Sequence, residues 1–303
     1  MYLLVTGASG HIGSAVAHEC NKNKVKTILL TRSQKKREAL KKKFKYCEVK
    51  THSNLKKKDN ISFVIHTASL NDKESNTKKN SVNISLDITR KIFSKININN
   101  LKKIIYLSTA QVYGSNLFNR VDENTKLKPI NNYGLSRLAN ELYLEGLSKK
   151  FDLNLLIIRI SNVVGDPVIF DKKCLRLLPN DIKNQAKRFE SITLRSSGLQ
   201  SRNFVSLLTT SKLLIKLIKL KTYGIKKFNL GGVNTSVILF VKKFIYYYEK
   251  KSKKKLKLFI QTNKPKKSKK LNFQDNKLRK LLKISRKETL EFIIKTFLKN
   301  KLI

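Results

Sequence analysis

The first thirteen residues restrict this chain more than any other stretch. A short apolar run, Tyr2–Val5, meets the turn Thr6-Gly7-Ala8-Ser9-Gly10-His11-Ile12-Gly13, and a helical pattern with small residues follows over Ile12–Cys20. Strand, glycine-punctuated turn and helix in that order leave few folds open. Gly7 permits a tight turn, Gly10 lets the main chain approach an anion, and Gly13 lets the helix pack closely on the strand. The free N–H groups at such a helix start form a cradle for a pyrophosphate. A glycine triplet alone says little; its place between strand and helix makes it informative.

The same alternation continues. A second β-type run covers Thr27–Leu30, a basic helix Arg37–Lys45, and a weak strand Tyr46–Val49. Ile61–Ile65 is a strong strand ending at His66, Val82–Lys95 has helical spacing, and Ile104–Leu107 is a strand. Tyr133–Lys149 reads as a helix and Leu155–Ile160 as a strand. Apolar strands alternating with helices predict an α/β fold with a parallel sheet covered on both faces. Beyond about Gly165 the pattern becomes mixed loops and short helices. Its last strand-like run is Lys227–Leu230, and a helical pattern closes it over Lys287–Leu298.

Charge raises a second class of function. Lys and Arg total 66 against 20 Asp and Glu in 303 residues, a formal net charge of +46. Such an excess suits a phosphate-rich partner. The basic run 250–287 would be the footprint of an RNA binder, with Phe259 and Phe273 as stacking residues. Against this, residues 1–21, 61–72, 104–125, 129–148, 151–171 and 188–211 contain no lysine. Lysine fills connecting segments and avoids the motif-bearing ones, which argues for a solvated surface over a nucleic-acid site. No apolar stretch is long enough to span a membrane, and the opening run is too short for a signal peptide. Cys20, Cys47 and Cys174, an odd number at no metal spacing, read as reduced thiols with no metal site. A cytoplasmic protein is expected.

Further motifs occur in order. They are Val64-Ile65-His66-Thr67-Ala68-Ser69, Asn83, Leu107-Ser108-Thr109-Ala110-Gln111-Val112-Tyr113-Gly114, and Tyr133-Gly134-Leu135-Ser136-Arg137. Arg159-Ile160-Ser161-Asn162-Val163-Val164-Gly165, Gly198 to Val205, Asp275-Asn276-Lys277 and Leu281-Leu282 complete the set. Together with the glycine turn they resemble the extended short-chain dehydrogenase/reductases, specifically the NAD-dependent epimerase/dehydratase family acting on nucleotide sugars. The resemblance covers nearly the whole chain. It implies a Rossmann-type doubly wound parallel sheet over 1–165 that binds NAD(P), and a smaller C-terminal substrate-binding lobe over 166–303. Residues about 200–235 of that lobe are expected to cross back to the sheet.

The resemblance also implies roles. Gly7, Ser9, Gly10, His11, Ile12, Gly13, Thr31, Arg32, Ala68 and Asn83 would hold the cofactor, with Tyr133 and Arg137. Tyr133 would be the acid/base and Thr109 the orienting hydroxyl. Arg137 stands where the family has a lysine; it keeps the charge but with a planar fork instead of an ammonium. Ser108, Thr109, Asn162 and Arg202 would bind a nucleoside-diphosphate sugar. Leu178-Pro179-Asn180-Asp181 would open a helix capped by Asn180 or Asp181. At the end of the second strand an acid favours NAD; Thr31 and Arg32 stand there instead and suit a 2′-phosphate, so NADP and NAD both remain candidates. Ala110-Gln111 supply no carboxylate beside Thr109, unlike the family's dehydratases. What remains is hydride transfer at one sugar carbon, C4 by resemblance, by an epimerase or a ketoreductase. The weaker alternative is a basic relative with impaired catalysis that binds RNA or another polyanion. A homodimer through the helices at Val82–Lys95 and Tyr133–Lys149 is expected from the family.

Overall fold

A computed structural model describes residues 1–261, 269–284 and 288–299. In chain order the first half comprises β1 (Tyr2–Thr6), α1 (His11–Lys22), β2 (Thr27–Thr31), α2 (Gln34–Lys43), β3 (Cys47–Thr51) and β4 (Ile61–His66). There follow α3 (Asp72–Thr77), α4 (Ser81–Phe93), β5 (Lys103–Thr109), β6 (Asn119–Val121), α5 (Asn132–Lys150), β7 (Asn154–Ile160) and β8 (Asn162–Val164). The second half comprises α6 (Leu178–Phe189), β9 (Ser191–Leu194), β10 (Ser201–Ser206), α7 (Leu207–Lys219), β11 (Ile225–Leu230) and β12 (Val233–Ser236). It ends with α8 (Val237–Ser252), β13 (Lys257–Ile260), β14 (Leu271–Phe273), α9 (Asn276–Leu282) and α10 (Leu290–Lys299).

Seven parallel strands form the central sheet in the order β11-β7-β5-β4-β1-β2-β3. Strand side chains alternate between two cores, as a period of two requires. Leu3, Val5, Leu29, Ile105 and Ile158 pack with α1, α2, α7 and α9. Leu4, Ile28, Ile104, Tyr106 and Ile157 pack with α4 and α5. With both faces covered, every position of β2 and β5 is buried, which explains their continuous apolar character. The chain runs outward from β1 to β3, then returns to β4 on the other side of β1. This reversal opens a crevice at the carboxyl ends of the strands, where ligands bind in open α/β sheets.

A third core joins Ile182, Phe204, Phe240, Phe244 and Phe297 from the second half, with Phe204 and Phe240 stacked at 4.4 Å. Here the structure is more regular than loops and short helices. α7 has 13 residues and α8 has 16, and three short strands follow β11, which is therefore not the last. Strands of three or four residues are too brief to show alternation. Phe273 is 2% exposed and packs edge-on against Tyr113, so it is not available to stack on a base. Residues 262–268 and 285–287 of the basic run, including the expected helix start at Lys287, lie outside the described residues. No described helix is long and apolar enough to cross a membrane.

Candidate active site

The glycine turn connects β1 to α1 at the mouth of the crevice. Gly7 has φ +64, and a Cβ there would lie 2.8 Å from Thr67 Oγ1. A Cβ on Gly13 would lie 2.2 Å from the carbonyl oxygen of Gly7, so only glycine lets α1 start this close to the strand. His11 Nε2 lies 2.7 Å from the carbonyl oxygen of Gly165. A carbonyl only accepts, so Nε2 carries the proton and His11 ties the start of α1 to the segment after β8. Burial lowers the His11 pKa and keeps it neutral.

The crevice is a cavity of about 640 Å³. Gly7, Ser9, Gly10, His11, Ile12, Gly13, Thr31, Arg32 and Ala68 line it around the glycine turn and the end of β2. Asn83 does not line it: the residue is exposed on α4, whose buried face carries Ser81, Ser85 and Thr89. Helical spacing puts position 83 on the other side.

Thr109, Tyr133 and Arg137 meet at the ends of β5 and α5. The Arg137 guanidinium carbon lies 5.1 Å from the centre of the Tyr133 ring. Arg137 is 9% exposed, and its Nη1 donates to the carbonyl oxygen of Leu107 at 3.2 Å. Its Nε has no hydrogen-bond partner among the described residues. Thr109 Oγ1 accepts from the Gln111 N–H at 3.3 Å, which leaves the hydroxyl proton free to donate into the cavity. Ser108 reaches the cavity wall, yet its hydroxyl donates to Glu141 Oε1 at 2.5 Å. Glu141 in turn holds Arg159 through its guanidinium Nη2 at 2.8 Å. Ser108 therefore commits its proton to this buried network and keeps only its oxygen lone pairs as acceptors.

At the opposite end stand Asn162 and Arg202. Asn162 Nδ2 donates to the carbonyl oxygen of Asn203 at 2.8 Å, leaving Oδ1 and one amide hydrogen free. Burial lowers the Arg202 pKa from its ordinary value, yet a guanidinium stays charged. Arg202 forms no ion pair among the described residues. The residue before α6 is Leu177, so neither Asn180 nor Asp181 caps that helix. Pro179 sits in its first turn instead, where no N–H is needed. Asn180 is buried, and its side-chain amide has no hydrogen-bond partner among the described residues.

Several cavity residues carry no sequence signal. Lys36 on α2 pairs with Asp171, and Lys173 Nζ pairs with Glu74 Oε1 on α3 at 2.6 Å. These pairs tie the segment after β8 to α2 and α3. Arg176 and His52 also line the cavity. Contacts between residues 99 and 135 positions apart leave no periodic trace. No group of three or more potential metal ligands occurs among the described residues.

With this geometry in view, the chain was compared with known proteins. The model of the NAD dependent epimerase/dehydratase family matches residues 3–231. Human dTDP-D-glucose 4,6-dehydratase is 28% identical over 146 residues, 48% of this chain and 40% of that one. The match thus spans less than half of that relative's length. A Methanocaldococcus jannaschii protein inferred to be a UDP-glucose 4-epimerase is 28% identical over 219 residues, 67% of this chain and 68% of its own length. The crystal structure of Bifidobacterium longum UDP-glucose 4-epimerase, solved with NAD+ and UDP, superposes with a TM-score of 0.78. That likeness covers 98% of this chain and 97% of that one at 21% identity, and shows a shared fold. Matched over most of its length, the chain belongs to the NAD-dependent epimerase/dehydratase family of enzymes.

Proposed function

We propose that this protein transfers hydride at one carbon of a nucleoside-diphosphate sugar, C4 by family resemblance, with Tyr133 as the acid/base. The juxtaposition of Tyr133, Arg137 and Thr109 carries the reading. The residues fit a nicotinamide dinucleotide: the glycine cradle excludes side chains where a pyrophosphate would lie, and the orphaned Arg137 Nε is a donor lacking an acceptor. Bound there, the dinucleotide supplies the hydride acceptor. Arg137 would then donate to a ribose hydroxyl, with its charge held against the Tyr133 ring. Tyr133 takes the proton of the sugar hydroxyl as the hydride leaves, and Thr109 donates to the same oxygen. Returning the hydride to the opposite face of the carbon and the proton to its oxygen gives an epimer; the same groups run once in the reducing direction reduce a ketosugar.

Asn162 and Arg202 hold the diphosphate, and residues 166–303 enclose the sugar nucleotide. A guanidinium without a carboxylate partner suits a diphosphate. Ala110 and Gln111 beside Thr109 offer no carboxylate for removing a ring proton, so we assign hydride transfer over elimination. The exposed Ile84, Leu135 and Leu142 on α4 and α5 support a homodimer through these helices.

Tyr133→Phe removes the acid/base and leaves the ring against Arg137. Turnover of a UDP- or dTDP-hexose is expected to fall at least a hundredfold while the nucleoside diphosphate still raises Tm. Unchanged turnover would remove Tyr133 from the mechanism.

A further inference from the structure

We propose that the nucleotide end of the cavity selects a dinucleotide bearing a 2′-phosphate on its adenosine ribose, and that Arg32 is the selecting residue. This rests on the cavity being a dinucleotide site, as argued above.

In a βαβ nucleotide site the adenosine 2′ position lies beside the end of the second strand, where a carboxylate accepts from the 2′-hydroxyl of NAD. Here β2 ends at Thr31, 3% exposed, with Oγ1 3.3 Å from Ser9 Oγ. A threonine facing Ser9 is no substitute for a carboxylate acceptor. Arg32 comes next, exposed, lining the cavity and outside any ion pair among the described residues. β3 pairs with β2 so that Thr51 lies opposite Thr31, and His52 therefore flanks Arg32 and lines the same wall. α2 starts at Gln34, two residues past Arg32, so the positive end of its dipole lies beside the guanidinium.

Two of the three carboxylates lining the cavity are paired with lysines. Asp171 is held by Lys36. Glu74 accepts from Lys173 and from the Asn71 N–H at 3.2 Å, and those bonds, with the charges of Lys173 and then Arg32, outweigh burial to keep its carboxyl below the ordinary range. Asp72 opens α3 exposed to solvent. An arginine in this setting binds a phosphate through two parallel N–H groups. The preference is the reverse of the one the family's name carries.

The test uses the full chain freed of bound nucleotide, at fixed ionic strength. NADPH and NADH are titrated by fluorescence; 2′-phospho-ADP-ribose and ADP-ribose, which lack the nicotinamide, are compared by thermal shift. NADPH is expected to bind at least tenfold tighter than NADH, and 2′-phospho-ADP-ribose to give the larger shift. The net charge of +46 would favour the more anionic ligand without any contact. Arg32→Ala separates the two effects because it removes only one charge of the excess. It should weaken NADPH at least tenfold more than NADH, and Thr31→Asp should lower the NADPH preference. Equal or tighter NADH binding overturns the proposal and leaves the dinucleotide site standing, as does an Arg32→Ala variant that weakens both ligands alike. Binding of neither dinucleotide overturns both.

Discussion

His66 shows how far hydrogen-bond direction can be argued from single atoms. Thr6 Oγ1 accepts from the main-chain N–H groups of Thr67 at 3.1 Å and Ala68 at 3.2 Å. Its own proton is left for His66 Nδ1, 2.8 Å away. Nε2 then carries the ring proton and donates to Thr89 Oγ1 at 3.0 Å, and Thr89 donates to Asn140 Oδ1. Asn140 Nδ2 donates to the carbonyl oxygen of Ser136 at 2.7 Å. The imidazole is thus a neutral link between the β4 loop lining the cavity and α5, which carries Tyr133 and Arg137. Burial first, and the Arg137 charge second, lower its pKa from 6.5 to about 3. The folded state therefore refuses a proton that the unfolded chain accepts between those values. Stability contributed by this site is present above pH 6.5 and is lost as pH falls toward 3, at up to about 1.4 kcal/mol per pH unit. His66→Gln should flatten the acid limb of Tm against pH over that window. A limb with the wild-type slope would assign acid sensitivity to other groups.

At the level of elements, Lys103 corrects the picture of lysine as an outward-facing residue. It opens β5 and is buried, with Nζ donating to the carbonyl oxygens of Leu217 at 3.2 Å, Ile218 at 3.3 Å and Leu220. These are the last carbonyls of α7 and the residue after it. One ammonium satisfies acceptors that a helix end leaves open and meets the negative end of its dipole. Burial lowers the Lys103 pKa, the counter-cost of that position. Lys103→Met keeps the stem and strips the donors, so stability should fall by about 1–3 kcal/mol, read as a lower urea midpoint at unchanged slope. An unmoved midpoint would mean that the three carbonyls find other donors. The central sheet was legible because runs such as Ile104–Leu107 and Leu155–Ile160 are buried on both faces. The glycine turn was legible because its residues are adjacent in sequence. Lys103 was not, since its partners lie 114 to 117 positions away. The Lys36–Asp171 and Lys173–Glu74 pairs escaped for the same reason. Asn83 lies off the cavity because a motif position does not specify which way a helix faces, and the Ser108–Glu141 bond left no sequence signal because its partners lie 33 positions apart.

For the molecule as a whole, the excess of +46 charges and the local ion pairs respond to salt in opposite senses. Two like charges 10 Å apart in water repel by about 0.4 kcal/mol. Summed over a chain in which cations outnumber anions by 66 to 20, such terms are expected to exceed what the ion pairs return. Those spanning the cavity involve partly exposed lysines, with side-chain exposures of 35% for Lys36 and 57% for Lys173, and pairs of that kind contribute about 0–1 kcal/mol each. Screening is long-ranged in dilute buffer and contracts to about 8 Å near 0.15 M. Folding brings the lysines closer together than they lie in the extended chain, so salt relieves more repulsion in the folded state. Tm of the ligand-free protein should therefore rise by several degrees between about 20 and 300 mM NaCl and then level off, while affinity for a dinucleotide falls over the same range. Sodium sulfate at matched ionic strength tests for screening: equal Tm in both salts means that screening alone acts. A Tm that falls with NaCl would show that the ion pairs, and not the surplus of lysine, dominate the electrostatics of the fold.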